Sequence, residues 1–474
     1  MEFQFCGAAG SVTGSKHLVV CDNFQFLVDC GLVQERAHLG RNWERLPENP
    51  SALDAVFLTH AHLDHCGLLP KLVADGFKGA IYGVPATLEL ARLILFDSAR
   101  IQEEDVAFKK KRHAKENRAP NPNRPNRALY TQGDVDATLR LFRPIPYSTP
   151  TQVAPGVRAT FRDAGHILGS SFIEIELSRP ALETDEPRRL VFSGDLGRAN
   201  RPILRDPECY VDDAPVSHLF LESTYGDRIS EAVESVDDQL ADAISRTVAR
   251  GGKAIMPVFA VERAQEILYR IATLREAGRI PSDVPVFLDS PMAVEATEIF
   301  VRHPECFDEE TLALSKRGAQ TLSNLGLLRT PDESRKLNDM KGPALILASS
   351  GMCNAGRIKH HLANHIGDAK NSVVFLGYQA AGTLGRIIVD GAPEVRIHGK
   401  PRKVRAEIIV VRGISGHADQ NELVAWRAAF PTPPKTTFVV HGEKSASQAL
   451  ASKIREREPG AFVYVPEHAE IYKD

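Results

Sequence analysis

The sequence predicts an α/β protein of at least two domains: a β-rich opening region, a run of strand-loop-helix units behind it, and strands that return near the C-terminus. A chain of 474 residues exceeds what one ordinary core organises. In the opening region Glu2 to Cys6 alternates apolar and polar side chains, and HLVV from His17, FQFLVD from Phe24 and AVFLTH from Ala55 read as further strands. LLPKLVADGF and ATLELARLILFDSARI carry helical spacing, whereas RATFRDAGH, SFIEIEL and RRLVFSGD read as strands. Histidine or aspartate closes three strands here. From about residue 214, SHLFLES, KAIMPVF, VPVFLDS, PALILASS and NSVVFLGY alternate with helical stretches such as VERAQEILYRIATL and GRIKHHLANHI, which predicts a parallel sheet layered with helices. AEIIVV, TTFVVHG and FVYVP then return, and this C-terminal segment is expected to complete the first domain.

Hydrophobic residues at 43% and charged residues at 25% are the balance of a globular protein, not of a disordered or fibrous one. No stretch approaches the roughly 18 to 20 consecutive apolar residues that span a membrane, and MEFQFCGAAG lacks a basic flank before an apolar run. Neither export nor insertion is expected. Seven cysteines without a C-x-x-C pair suit reduced thiols, which places the chain in the cytoplasm. A net charge of -3 carries no global signal for nucleic acid, so any signal must be local. One window holds Lys109, Lys110, Lys111, Arg112, Lys115, Arg118, Arg124 and Arg127 against Glu116. Such runs are usually solvated faces, but Pro120, Pro122 and Pro125 predict an exposed loop able to reach phosphates.

The strongest chemical signal is His60-Ala61-His62-Leu63-Asp64-His65, between an apolar strand and a helix. An H-x-H pair on extended chain presents two imidazoles to one cation, and Asp64 with His65 at the turn points to a second. Imidazole and carboxylate suit zinc, and two adjacent ions activate a water and neutralise charge on attacking and leaving oxygens, which is hydrolytic chemistry.

This motif resembles that of the metallo-β-lactamase superfamily. The resemblance implies an αββα sandwich in which Asp29 of FLVDCG orients a ligand histidine, His166 of DAGHILGS is a third-motif ligand and Asp195 of VFSGDLG bridges two metals. It assigns His60, His62 and His166 to a first zinc, and Asp64 and His65 to a second. FLESTYGDR with Glu222, ISGHAD with His417 and VVHGE with His441 resemble motifs A, B and C of the β-CASP branch, which processes nucleic acids. PVFAVERAQEIL, SSGMCNAGR and LGYQAAGTLGR extend the resemblance across nearly the whole chain. It implies a lactamase-like domain over 1–208 and 405–474, interrupted by an α/β β-CASP domain at 209–404, with no further domain expected.

The same resemblance makes His441 a ligand of the second zinc and His417 the acid that protonates the leaving oxygen, oriented by Glu222. A histidine at motif C goes with RNA-processing members. The expected activity is therefore zinc-dependent hydrolysis of RNA phosphodiesters by a two-zinc activated hydroxide, endonucleolytic and also open to 5′ exonuclease action, on single-stranded RNA and possible as a homodimer. The alternatives are a DNA-directed β-CASP nuclease, a small-molecule hydrolase of lactamase or thioesterase type, which has no use for Glu222, His417 and a domain-sized insertion, and a non-catalytic RNA-binding subunit.

Ser349, Ser350 and Gly351, and Gly382, Thr383 and the following glycine Gly385, lie between strands and helices, where backbone N–H groups can meet phosphates, with Arg357 and Arg386 nearby. Glycines at such turns are also ordinary architecture. His360, His361 and His365 read as a surface cluster without an accompanying carboxylate, and His17, His38, His113, His218, His303, His398 and His468 carry no motif.

Overall fold

The computed structural model describes residues 1–45, 49–116, 127–229, 235–316, 325–380 and 382–474, without the side chains of 112–116 and 314–316. It divides the chain into two compact units. One comprises residues 1–201, 205–229 and 416–474, the other 202–204 and 230–415.

Two sheets, each of seven strands among the described residues, build the first unit. One runs in the order Ile471–Lys473, Glu2–Gly7, Lys16–Val20, Gln25–Val28, Ala55–Phe57, Ala80–Gly83 and Phe142–Pro144. The other runs Phe462–Tyr464, Thr436–Val440, His218–Glu222, Arg188–Phe192, Ser171–Leu177, Val157–Asp163 and Thr151–Ala154. Phe3, Phe5, Phe26 and Phe57 from the first sheet join Phe161, Phe192, Phe220 and Phe438 from the second in one buried core. On the opposite face of the second sheet, Val191, Leu219, Leu221 and Val439 pack with Leu423 and Trp426 of helix Gln420–Ala428 and Leu450 and Ile454 of helix Lys444–Arg457. Side chains alternate across a strand, so a strand buried on both faces reads as an unbroken apolar run. That is why RRLVF, HLFLE and TTFVV show no polar alternation.

The second unit is a six-stranded parallel sheet, among the described residues, in the order Leu325–Leu328, Val286–Asp289, Ala344–Ala348, Lys253–Pro257, Ser372–Leu376 and Glu407–Val411. Met256, Leu345 and Leu347 face helices Val236–Ala249 and Arg263–Glu276, while Ile255 and Ile346 face helix Ile358–His365.

Two strands lie outside their expected domains. SHLFLES, expected in the inserted layer, pairs in parallel with Arg188–Phe192 and Thr436–Val440 in the first unit. AEIIVV, expected to complete the first domain, instead pairs in parallel with Ser372–Leu376 at the edge of the second unit. The boundaries therefore fall at 229/230 and 415/416 rather than 208/209 and 404/405. Both segments are short apolar runs, and such a run carries its burial but not its partner. Of the basic window, Lys109, Lys110 and Lys111 are exposed on helix Pro85–Glu116, and Arg127 lies over the Trp43 ring at 5.4 Å. Residues 117–126, with Arg118, Arg124 and the three prolines, and the side chains of Arg112 and Lys115 lie outside the described residues. No helix among the described residues is long and apolar enough to cross a membrane.

Candidate metal centre

The metal motif occupies the bend after strand Ala55–Phe57. Chain geometry, rather than helix propensity, fixes it: Ser15 N–H donates to the Asp64 carbonyl at 2.7 Å, and Cys30 N–H to the His65 carbonyl at 2.7 Å. Gly31 permits this approach, since a Cβ there would stand 1.6 Å from the Asp64 carbonyl oxygen. His166 and Asp195 arrive on the loops after strands Val157–Asp163 and Arg188–Phe192, and His441 follows Thr436–Val440.

These side chains fall into two adjacent clusters. His62 Nδ1 stands 3.1 Å from His60 Nε2 and 3.3 Å from His166 Nε2, and Asp195 Oδ2 is 3.6 Å from both of those Nε2 atoms. In the second cluster His65 Nε2 is 3.0 Å from His441 Nε2, Asp64 Oδ2 is 3.8 Å from His441 Nε2, and Asp195 Oδ1 is 3.4 Å from His65 Nε2. Asp195 thus turns one oxygen to each cluster. All seven candidate ligands converge, drawn from both ends of the sequence.

The electrostatics of the clusters fit cations. Burial pushes His60 and His166 well below the usual imidazole range, and His62 below it, leaving neutral rings with lone pairs to donate. Burial opposes charge on His65 too, yet Asp195 and Asp29 raise it well above that range, so positive charge is favoured there. Burial likewise opposes ionisation of Asp64, but the neighbouring His441, His65 and His62 imidazoles bring it down to about 2. Asp195 Oδ1 is buried without a hydrogen bond, its near neighbours being His441 Nδ1 at 3.2 Å and His65 Nε2 at 3.4 Å, a setting that a bound cation fits.

A supporting set of hydrogen bonds aims the rings. Asp29 Oδ2 accepts from His65 Nδ1 at 2.7 Å, while its Oδ1 accepts from Thr59 N–H at 2.9 Å. The Thr59 hydroxyl lies 3.1 Å from His60 Nδ1, the Gly416 carbonyl accepts from His166 Nδ1 at 2.9 Å, and the Thr224 hydroxyl is 3.1 Å from His441 Nδ1. Thr59, Thr224 and Gly416 carry no motif of their own, although each sits within two residues of His60, Glu222 or His417. Outer partners of this kind are worth roughly 10 to 100-fold in metal affinity. Asp29→Ala is therefore expected to raise the zinc dissociation constant by about that factor, measured by competition with a chromophoric chelator.

His417 borders the first cluster: its ring centroid is 4.4 Å from that of His166, and Nδ1 is 3.4 Å from Glu222 Oε1. Glu222 is fully buried and accepts from Leu196 N–H at 2.6 Å, which fixes its carboxylate. Burial alone would depress His417, but Glu222, followed by Asp195, carries it up to about 9.

The chain matches the metallo-β-lactamase superfamily over residues 17–238, the Beta-Casp domain over 264–388 and the Zn-dependent metallo-hydrolase RNA specificity domain over 401–466. Ribonuclease TTHA0252 of Thermus thermophilus is 36% identical over 447 residues, covering 94% of this chain and 94% of that protein. The chain belongs to the β-CASP branch of the metallo-β-lactamase superfamily. Other relatives are longer. Transcription termination factor FttA of Methanosarcina mazei is 33% identical over 94% of this chain and 68% of its own length, and that of Methanocaldococcus jannaschii is 30% identical over 96% and 69%. The crystal structure of a protein of unknown function from Enterococcus faecalis V583 shares the fold, with a TM-score of 0.56 at 14% identity over 99% of both chains.

In the β-CASP unit the two expected phosphate loops meet. Gly385 N–H donates to the Met352 carbonyl at 3.2 Å, and the Gln379 side-chain amide to the Gly351 carbonyl at 3.1 Å. Ser349 donates to the Ser290 hydroxyl at 2.7 Å, and Gly382 has a positive φ of 80° immediately before Thr383, which caps helix Leu384–Val389. Ser350 lies on the same loop as Ser349 and Gly351. Both arginines are already engaged, Arg357 with Asp289 and Arg386 with Asp390 at 2.8 Å. The histidines nearby correct an expectation: His360 is exposed, but His361 and His365 are buried, and His361 Nε2 is 2.6 Å from Asp289 Oδ2. The carboxylate partner lies 72 residues away in sequence, outside any helical pattern. His17 is a core residue, packed on Phe220 at 5.4 Å and pushed down to about 3 by burial.

Proposed function

We propose that the chain hydrolyses RNA phosphodiester bonds at the seven-ligand centre, with two zinc ions shared through Asp195. Its membership of the family and its relation to a named ribonuclease over 94% of both chains support the activity, and the chain is a metal-dependent RNA hydrolase. The single observation that carries the two-ion reading is the division of Asp195 between the clusters, Oδ2 toward His60 and His166 and Oδ1 toward His65.

Bound there, the ions would lower the pKa of a water and neutralise charge on the phosphoryl oxygens. His60, His62 and His166 would hold one ion, and Asp64, His65 and His441 the other, with Asp29 accepting a hydrogen bond from the His65 Nδ1–H so that Nε2 is left to donate its lone pair. His417 stays protonated at neutral pH, beside the first cluster, and donates its proton to the departing oxygen. Glu222 holds that imidazolium in place. Of the loops carrying Ser349, Ser350 and Gly351 and Gly382 and Thr383, the Ser350 and Thr383 N–H groups already donate to the Ala355 and Ala380 carbonyls, and Arg357 and Arg386 are already paired, so any phosphate contact there falls to Ser349, Gly351 and Gly382. We take the substrate as single-stranded RNA and the compartment as cytoplasm.

Incubation of labelled single-stranded RNA and DNA with zinc-loaded protein tests this reading. RNA is expected to be cleaved to 5′-phosphate ends and protected by chelator. Intact RNA, or preferential cleavage of DNA, would overturn it.

A further inference from the structure

A chain of net charge -3 places a cluster of uncompensated cations on the surface of its second unit. Strands Glu394–Ile397 and Lys400–Lys403 form an antiparallel hairpin. Its turn, His398 and Gly399, has φ of 50° and 75°, the left-handed geometry that a two-residue connection requires. Val395 and Ile397 are buried in the core, which turns Arg396 and Lys403 to the outside. Lys400 and Arg405 are exposed as well.

Helix Ile358–His365 adds Lys359 and a stacking partner. The His360 and His398 rings lie 4.5 Å apart at 29°, both exposed, and Lys359 and Arg402 are close enough to lower His398 further after burial and His360. Among the described residues none of Lys359, Arg396, Lys400, Arg402, Lys403 and Arg405 forms an ion pair, whereas the next acid along the chain, Glu407, is bound by both Arg246 and Arg250. Glu394 faces Lys403 across the hairpin without pairing to it. Four exposed cations without an ion pair, Arg396, Lys400, Lys403 and Arg405, with the half-buried Lys359 and Arg402 behind them and a flat aromatic pair beside them, match an extended polyanion that also carries stacking bases.

We propose that this hairpin, with the His360–His398 stack, binds the backbone of the RNA substrate through phosphate contacts and one stacked base. The proposal rests on the RNA-hydrolase reading above. It makes the hairpin an affinity element outside the catalytic machinery.

The test measures binding of a phosphorothioate single-stranded RNA of about 20 nucleotides, longer than the roughly 4–16 nucleotide footprint of one binding domain, to the zinc-loaded full chain across a salt series. Neutralising Arg396→Gln, Lys400→Gln and Lys403→Gln together is expected to weaken binding about tenfold and to flatten the logarithmic salt slope by about 2, at roughly 0.7 for each phosphate no longer neutralised. The charge-keeping set Arg396→Lys, Lys400→Arg and Lys403→Arg is expected to bind as the wild type does. His360→Ala is expected to lower affinity about fivefold or more at an unchanged slope. Unchanged affinity and slope in the neutral variant, equal weakening in the neutral and charge-keeping variants, or no effect of His360→Ala overturns the proposal. Cleavage of ordinary RNA by the wild type, run alongside, separates the two failures: a protein that cuts RNA while these variants bind unaltered keeps its activity and loses only the hairpin.

Discussion

Asp195→Ala is expected to lower RNA cleavage by about a thousandfold or more and to strip metal from the protein. The carboxylate is buried, and its two oxygens face different clusters at 3.4 to 3.6 Å, so its loss unmakes both positions at once. Charge stabilisation by bound metal is worth several kcal/mol, and each ~1.4 kcal/mol is a factor of ten in rate. The substitution also leaves His65 with Asp29 as its remaining close carboxylate, so its affinity for positive charge falls. Metal content and turnover measured on the same sample check this. Retained metal with near-normal turnover would remove Asp195 from the centre.

His417→Ala has the second largest expected effect, and it differs in kind. A positioned general acid contributes about a hundredfold to ten-thousandfold, so turnover should fall by that range while metal content stays. His417 is raised to about 9, so the competent protonated form is present below that pH and is lost as pH rises through it. Glu222→Gln keeps the shape but removes the charge that raises His417. The alkaline limb of the kcat profile should then move to lower pH, a displacement that a purely structural role for Glu222 would not produce. An unmoved limb would mean that another group titrates.

Legibility of the site followed sequence locality. His60, His62, Asp64 and His65 stand within six residues, and their chemistry could be read directly. His166, Asp195 and His441 are lone side chains at strand ends, interpretable only through the order of motifs, because no local pattern says that three distant loops converge. The supporting groups were less accessible still. Thr59, Thr224 and the Gly416 carbonyl act through single hydrogen bonds to rings, and threonines or glycines at strand ends are common for other reasons. In the fold, the layers are legible from apolar spacing, but the sheets that SHLFLES and AEIIVV join are not, because strand partners are chosen by pairing across the whole chain. The burial of His361 is hidden for the same reason, since it depends on Asp289 of a separate strand.

The claim that the clusters hold two metals bridged by one carboxylate is tested most directly by counting zinc per chain in the protein and in Asp195→Ala by native mass spectrometry. Two ions in the former and fewer than one in the latter are expected. A wild-type chain that retains no zinc after loading, or an Asp195→Ala chain that keeps both ions, would contradict it.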